Sequence, residues 1–384
     1  MKGACYIADY LVKQGVTDAF GIPGGVVLDL LYALDAQEGI TPHLSYHEQS
    51  AGFAALGYAQ ASGRLGVAYA TRGPGFTNLL TPIAEAYSES LPVLFITGHV
   101  SSALNEKMRV AADQELDTCK IVSSITKYSC RVDSLDKLPG ALAKACHEAM
   151  SERKGPVMLD IATKLFASEV DGDKSVVSAK TSAECHSDEI TDTISNAQRP
   201  ILLIGDGINQ AGRRKELKAL AEKMQIPVLS SRFTHDILDD SELYYGYVGS
   251  HGIRYANFVL SKADLIVAIG NRMHFPVNSV SYKMVTDNVE TIRIDIDASE
   301  FERQIPNSKP IYADLREIVD RLLASDVDFG KHQIWLDVCQ KLREDLNDED
   351  VSPTVRQIEE TLQRLPENVT CVADVGNNEF WLSR

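Results

Sequence analysis

Short apolar runs alternate with helix-period stretches along most of this chain, and Gly or Pro marks most of the joins. This alternation constrains the fold strongly, because apolar strands joined by helices are typical of a parallel sheet covered on both faces. The sequence therefore predicts an α/β fold of the doubly wound type. Near the start of the chain, the predicted strands are 16–20, 41–46, 66–71 and 92–97.

A second set of such runs follows a polar stretch rich in Ser, Asp, Lys, Glu and Thr. We expect this stretch, 168–190, to be a linker between a first domain, 1–167, and a second α/β domain, 191–325. A charged helical connector is expected over 326–365, and 366–384 has the pattern of a strand and loop that begin a third domain, incomplete in this chain. The predicted strands of the second domain are 200–205, 226–230, 263–270 and 291–296, with a helix at 213–224.

Charge and cysteine usage exclude several classes of partner. The chain has 38 Lys and Arg against 54 Asp and Glu, a formal net charge of −16, so most of its surface should repel nucleic-acid phosphates and anionic lipid. No window approaches the ~18 uninterrupted apolar residues of a membrane span. The 7 cysteines are scattered and form no C-x-x-C pair, as is typical of reduced thiols. We therefore expect a cytoplasmic protein that binds neither nucleic acid nor membrane.

The strongest catalytic candidate is Glu48, which follows a strand expected to be buried and begins a small-residue helix. Parallel sheets gather ligands at the carboxyl ends of their strands. Gly24 and Gly25 follow the first strand, and the Gly73–Pro74–Gly75 turn follows the third, so loops with exposed backbone should meet at the same edge. A Glu in the first turn of a helix also complements the helix dipole, and for Glu48 alone this structural explanation stays open. The combination predicts a ligand site.

Other motifs are better explained by local structure. Gly205-Asp206-Gly207 resembles a phosphate-binding turn, but Gln210 breaks the G-x-G-x-x-G pattern, so a structural turn is expected. Asp295 and Asp297 are expected to cap the next helix. The adjacent pair Cys185–His186 is assigned no catalytic role, because activating a thiolate requires an electropositive setting. No metal-binding motif is present, and we assign no metal ligands in this chain.

Several longer segments carry a family resemblance. In the first domain they are FGIPGGVVLDLLYAL at 20–34, HEQSAGFAALGYAQASG at 47–63, TRGPGFTNLLTPIAEAYSESLPVLFITG at 71–98 and DQELD at 113–117. Later segments are RPILLIGDGINQAG, ADLIVAIGNRM, IRIDIDASE and, near the last residues, VADVGNNEFW. Together they resemble the thiamine diphosphate-dependent enzymes, most closely the large subunit of acetolactate (acetohydroxyacid) synthase. That family carries a pyrimidine-binding domain, a central Rossmann-like domain and a diphosphate-binding domain, so the resemblance implies the first two and the beginning of the third.

The resemblance also implies a chemistry and a set of site residues. Glu48 would hydrogen-bond the aminopyrimidine ring of thiamine diphosphate and favour the tautomer that activates the cofactor for attack on a 2-keto acid, with pyruvate as the expected substrate. Gln114 matches a position that faces the reacting centre. Mg²⁺ would bind with the diphosphate in the third domain. The cofactor-binding residues implied are Gly24, Gly25, Glu48, Gly73, Pro74, Gly75 and Asn78.

Three departures from the family pattern bear on specificity. Asp113 stands where the synthases carry Phe, and Arg72 stands where they usually carry Ser. The segment 273–276 lacks the acidic pair of the flavin-containing members, so bound FAD remains an open question at this stage. Decarboxylation alone, or acyl transfer to another ketone, are therefore alternative activities.

The resemblance further implies a homodimer or homotetramer, because each site in the family lies between subunits. A non-catalytic fragment or assembly subunit is the alternative of a different class. Glu48 and its neighbouring glycine loops argue against it, because a scaffold needs no acid at that edge.

Overall fold

The computed structural model describes all residues except 101–111, 171–186, 235, 239, 250–251, 275–288, 328–331, 347–352, 367, 375 and 377–384. The Cys185–His186 pair and residues 275–276 of the flavin-related segment lie outside the described residues, as do most of the predicted linker and the end of the predicted third domain. The chain divides into two compact units, Met1–Thr181 and Ser182–Arg384.

The first unit contains a six-stranded sheet in the order β2-β1-β3-β4-β6-β5, in which every pair is parallel. Its strands are β1 (Asp18–Gly21), β2 (Thr41–Leu44), β3 (Gly66–Ala70), β4 (Val93–His99), β5 (Tyr128–Val132) and β6 (Val157–Ala162). The helices are α1 (Gly3–Lys13), α2 (Leu28–Ala36), α3 (Glu48–Ser62), α4 (Pro74–Asn78), α5 (Leu80–Ser88), α6 (Thr118–Val122), α7 (Leu138–Met150) and α8 (Thr163–Ala167).

Both faces of this sheet are covered, because successive residues of β3, β4 and β6 are all buried. One core contains apolar side chains of α1, α2, α7 and α8, such as Ile7 and Leu11. The opposite core contains side chains of α3, α5 and α6, such as Ile83 and Val122. Full burial of one such aliphatic side chain stabilises the fold by about 1.5–3 kcal/mol. The predicted doubly wound architecture is confirmed.

One expectation about this sheet is wrong. The strand before Glu48, β2, is an edge strand in which Thr41, His43 and Leu44 are exposed and Pro42 is half-buried. An apolar run is a local signal and does not tell an edge position from a central one, since that depends on which strands pair. Glu48 therefore follows an exposed strand.

The second unit contains another six-stranded parallel sheet, in the order β12-β11-β10-β7-β8-β9. Its strands are β7 (Pro200–Ile204), β8 (Val228–Ser230), β9 (Tyr244–Tyr247), β10 (Leu265–Ile269), β11 (Glu290–Asp295) and β12 (Ser308–Tyr312). Its helices are α9 (Ser187–Asn196), α10 (Gly207–Ala211), α11 (Arg214–Met224), α12 (Arg254–Lys262), α13 (Leu315–Ala324), α14 (Gln333–Leu346) and α15 (Pro353–Leu362), with two 3₁₀ turns, Arg232–Thr234 and Ala298–Glu302.

Two apolar cores flank this second sheet, one beneath α9, α11 and α13 and the other beneath α12 and α14. The helix α14 lies within the predicted connector, yet Trp335, Leu336 and Cys339 are buried in the second core. The Trp335 indole nitrogen donates a hydrogen bond of 3.0 Å to the Pro200 carbonyl oxygen. This helix is thus part of the second unit.

The strand predicted near the end of the chain does not form in the described residues. Residues 369–374 have no strand pairing, and their side chains are exposed, with Val372 at 92%. A parallel strand needs a neighbour to bond its backbone, and this segment is part of neither of the two described sheets.

Candidate active site

Glu48 is the first residue of α3, directly after the N-cap residue His47. The backbone of His47 is extended, and its ring nitrogen Nδ1 accepts a hydrogen bond of 3.1 Å from the Gln49 amide. This cap satisfies one of the free amides at the helix start and fixes where α3 begins. Glu48 is half-buried at the carboxyl side of β2.

Small residues hold α3 close to its neighbours. A Cβ on Gly52 would lie 2.4 Å from Pro82 Cγ of α5, and a Cβ on Gly66 of β3 would lie 2.4 Å from the Ala55 carbonyl oxygen of α3. Neither position has room for a side chain. The close packing explains the small-residue composition of α3 and sets the position of Glu48 relative to β3 and α5.

The carboxylate of Glu48 has two different environments. Asn78, at the end of α4, donates a hydrogen bond of 2.9 Å from Nδ2 to Oε2. Within the described part of the chain, Oε1 accepts no hydrogen bond. A Cβ on Gly75 would lie 3.3 Å from Oε1 and 2.8 Å from Thr71 Cγ2, so the glycine leaves space beside this oxygen. The structure thus brings Glu48, Gly75 and Asn78 together.

The Gly73–Pro74–Gly75 turn connects this carboxylate to Gln114. Gly73 has φ +62°, a backbone conformation that side chains disfavour, and Pro74 begins α4 at a position where proline is well tolerated. A Cβ on Gly73 would lie 2.7 Å from both Cβ and O of Gln114. Gln114 is therefore packed on the turn, with an exposed side chain and φ +55°.

Thr71 is a site residue that the sequence analysis missed. A Cβ on Gly24 would lie 2.6 Å from Thr71 Cβ, so Thr71 lies between the loop after β1 and the turn after β3. Gly25 has no atom within 4 Å of its Cβ position, and it is exposed beside Gly24. The position of Thr71 directly after a strand was the available signal, but its residue type suggested no role.

Arg72 and Asp113 are neighbours at this site. Arg72 Nη2 lies 3.8 Å from Asp113 Oδ2, which is longer than a hydrogen bond, and the Asp113 side chain is 85% exposed. The Arg72 side chain is 19% exposed. Its buried Nη1 finds no hydrogen-bond partner among the described residues. The guanidinium is thus only partly neutralised.

A group of charged residues lies next to Gln114, of which three are buried and two, Arg131 and Asp133, are partly exposed. We call it the ion network, and it consists of His99, Glu115, Arg131, Asp133 and Asp160. His99 Nε2 lies 2.8 Å from Asp133 Oδ1, and His99 Nδ1 lies 3.4 Å from Asp160 Oδ1. Burial alone would raise the pKa of Asp160, but interaction with His99 and hydrogen bonds from two threonines outweigh burial and lower it. The sequence analysis did not identify this network.

The motifs of the second unit are structural, as expected. A Cβ on Gly205 would lie 2.4 Å from the Gly270 carbonyl oxygen, and one on Gly207 would lie 2.6 Å from Gly270 Cα, so these turns pack against each other. Asp206 accepts hydrogen bonds from its own helix. Asp297 caps the following 3₁₀ turn through the Ser299 amide at 2.9 Å.

Among the residues that the structure describes, no group of three or more His, Cys, Asp or Glu side chains is arranged to hold a metal ion. No helix in this described part of the chain combines the length and apolar character needed to cross a membrane.

Comparison with family models gives two matches. Residues 1–121 match the N-terminal cofactor-binding domain of thiamine pyrophosphate enzymes, and residues 187–322 match the central domain of the same enzymes. These two ranges fall in the first and second structural units, respectively.

Curated relatives align with the whole chain. The acetolactate synthase large subunit of Lactococcus lactis is 34% identical, and the chain covers 68% of that protein. The corresponding subunit of Corynebacterium glutamicum is 34% identical with 64% covered, and isozyme 2 of Escherichia coli is 30% identical with 70% covered. The chain thus spans about two thirds of the length of these relatives.

Proposed function

The chain belongs to the family of thiamine pyrophosphate enzymes that includes the acetolactate synthase large subunits, and from this we propose that it acts in the decarboxylation of a 2-keto acid with transfer of the resulting acyl group. We propose pyruvate as the donor. The observation that carries this proposal is the environment of Glu48, whose Oε2 is held by Asn78 and whose Oε1 faces the space left by Gly75.

The residues present fit thiamine diphosphate. We propose that the free oxygen of Glu48 bonds a ring nitrogen. Support comes from the open space at the Cβ position of Gly25 and from Gly75, which has no side chain to obstruct that oxygen. When bound, the cofactor supplies the electron sink for loss of carbon dioxide.

The work of the protein is to orient groups and hold a proton. Asn78 fixes the rotation of the Glu48 carboxyl group, so that Oε1 keeps one direction. A carboxyl group held in this way is placed to exchange a proton with a ligand nitrogen, a role typically worth 10²–10⁴-fold in rate. We propose that Gln114 contacts the reacting substrate, which its close packing on the turn at Gly73 supports.

The surroundings of Arg72 support the proposal that the substrate is an anion. The guanidinium has one buried nitrogen without a partner in the described residues and one weak contact with the exposed Asp113. A substrate carboxylate competes well for such a cation, because hydrogen bonds between ions are stronger than neutral ones. Arg72 and Asp113 place charges beside Gln114 that differ from the family pattern. This difference favours, as the alternative activity, transfer of the acyl group to an acceptor other than a second pyruvate.

Exposed apolar side chains around Glu48 support a homodimer or homotetramer. Leu44 is 60% exposed, Tyr46 is fully exposed, and Phe53 of α3 is 42% exposed. Large exposed apolar patches mark interaction sites, and these three residues lie within ten positions of one another along the chain. We propose that a second subunit covers them and that a diphosphate-binding domain supplies the Mg²⁺ site, since Mg²⁺ needs oxygen ligands that bridge to phosphate.

The glycine turns that follow β7 and β10 do not favour a bound flavin. The turns at Gly205, Gly207 and Gly270 pack on each other and leave no open backbone for a ligand. We therefore propose that the protein carries no FAD, which a visible absorption spectrum of the purified protein tests. The six described cysteines are free, which supports a reducing compartment such as the cytoplasm.

The proposed function is tested with a preparation that contains both this chain and a diphosphate-binding domain, in which cofactor binding and product formation are measured. Thiamine diphosphate with Mg²⁺ should bind, and feeding pyruvate should release carbon dioxide and acetolactate. Acetaldehyde as the sole product would replace acyl transfer with simple decarboxylation. Absence of both cofactor binding and carbon dioxide release would contradict the proposal.

A further inference from the structure

The backbone of Gln114 is held in an unfavourable conformation. Its φ of +55° is uncommon for a residue with a side chain, and a Cβ on Gly73 would lie 2.7 Å from both its Cβ and its carbonyl oxygen, so the two residues pack closely. A strained backbone persists only where the surrounding structure determines it. The two attachments that follow Gln114 in the chain supply this constraint.

The first attachment is the next residue, Glu115, whose side chain is 1% exposed. Its Oε1 accepts a hydrogen bond of 2.8 Å from Arg131 Nη2 on β5. Arg131 also lies 3.4 Å from Asp133 and 3.8 Å from Asp160, so its charge is shared among three carboxylates. Removal of Glu115 from this setting is therefore opposed by a charge-assisted hydrogen bond to a largely buried partner.

The second attachment is Thr118, at the start of α6. Its hydroxyl donates a hydrogen bond of 2.8 Å to Asp160 Oδ2 on β6. The other oxygen of Asp160 accepts a hydrogen bond of 3.0 Å from Thr97 on β4. The segment that follows Gln114 is thus fixed at Glu115 to the edge strand β5 and at Thr118 to its neighbour β6.

We propose that the ion network positions Gln114, which makes Glu115 and Arg131 positioning residues of the active site. Stability alone does not explain a buried network, because apolar side chains of similar volume often stabilise a fold equally well. Charged partners instead fix one arrangement of the segment. The inference rests on the proposed role of Gln114 in contacting substrate.

The test uses the complete enzyme with the substitution Glu115→Gln. The amide keeps the shape and an oxygen for Arg131 but removes the charge. We expect kcat to fall about tenfold or more, because small displacements at a reacting centre are costly, while the affinity for thiamine diphosphate stays unchanged. Hydrogen exchange should quicken at the amides of residues 113–118. Thr118→Val, which removes the second attachment, should give the same pattern.

Ile7→Val in α1 is the matched control, since Ile7 is fully buried in the core of the same unit. It lowers stability without touching the network. The proposal is overturned if Glu115→Gln and Ile7→Val reduce kcat equally, or if exchange at 113–118 is unchanged in Glu115→Gln. If wild-type enzyme does not turn over 2-keto acids, the proposed function fails, and the exchange measurement still tests the positioning of Gln114.

Discussion

Asn78 Nδ2 donates a hydrogen bond of 2.9 Å to Oε2 of Glu48, and so joins the end of α4 to the start of α3. The bond occupies one carboxylate oxygen and leaves Oε1 for a ligand. Asn78 follows the Gly73–Pro74–Gly75 turn by three residues, so the turn that gives room beside Glu48 also delivers the side chain that orients it.

Substitution of Asn78 tests this arrangement. Asn78→Ala should lower turnover of pyruvate about tenfold, because the loss of a hydrogen bond to a charged group costs ~1.5–3 kcal/mol. Asn78→Asp should lower turnover further at neutral pH, because two carboxylates would repel each other. Steady-state kinetics measures both, with Glu85→Ala on the exposed side of α5 as the control. Equal activity of all three variants would show that Asn78 does not orient Glu48.

The space beside Oε1 depends on Gly75. In Gly75→Ala the new Cβ lies 2.8 Å from Thr71 Cγ2 and 3.3 Å from Oε1, so we expect weaker binding of thiamine diphosphate and lower activity. Gly57→Ala is the matched control, since Gly57 is an exposed residue of α3 with no atom within 4 Å of its Cβ position.

This control should keep its activity and gain about 0.5–1 kcal/mol in the free energy of unfolding, because alanine favours helix over glycine. Calorimetric titration with the cofactor and urea unfolding measure the two effects. Wild-type cofactor affinity in Gly75→Ala would contradict the proposed site.

Much of the site was predictable because its signals are local. Gly24, Glu48 and the turn at 73–75 follow strands, and the carboxyl ends of parallel strands share one edge. The ion network was not predictable, since Glu115, in the loop before α6, meets Arg131 of β5 only through the tertiary packing of α6 against the sheet. The strand β5 itself lacked a signal, because four of its five residues are only half-buried. The edge position of β2 was missed for a related reason, because the residues of one segment do not determine which other strands pair with it.

Substitutions of Arg72 and Asp113 should change the KM for pyruvate in opposite directions. If Arg72 binds the substrate carboxylate, Arg72→Met should raise KM for pyruvate about tenfold, through loss of a charged hydrogen bond. Asp113→Asn should lower KM, because it removes the competing carboxylate. A neutral ester of pyruvate, which has no carboxylate to lose, serves as a competitive inhibitor, and its inhibition constant should respond to neither change. A shift of KM in the same direction for both variants would show that the pair is only structural.

The lowered pKa of Asp160 predicts a pH dependence of stability. A carboxyl group with a folded-state pKa below its unfolded value stabilises the fold above that unfolded value, and the contribution is lost as pH falls through the folded-state pKa. Urea unfolding should therefore show stability falling below about pH 4, the ordinary range of an Asp side chain. Asp160→Asn should flatten this part of the curve. An identical slope in the variant would assign acid sensitivity to other groups.

The most direct measurement of the central claim is the rate of carbon dioxide release from pyruvate by Glu48→Gln in the complete enzyme. The amide keeps the shape of Glu48 and the contact with Asn78 but no longer carries an exchangeable carboxyl proton. The account predicts a fall of at least about 10²-fold, the lower end for loss of a general acid or base, with an unchanged melting temperature because Glu48 is only half-buried. A rate close to that of the wild type would contradict it.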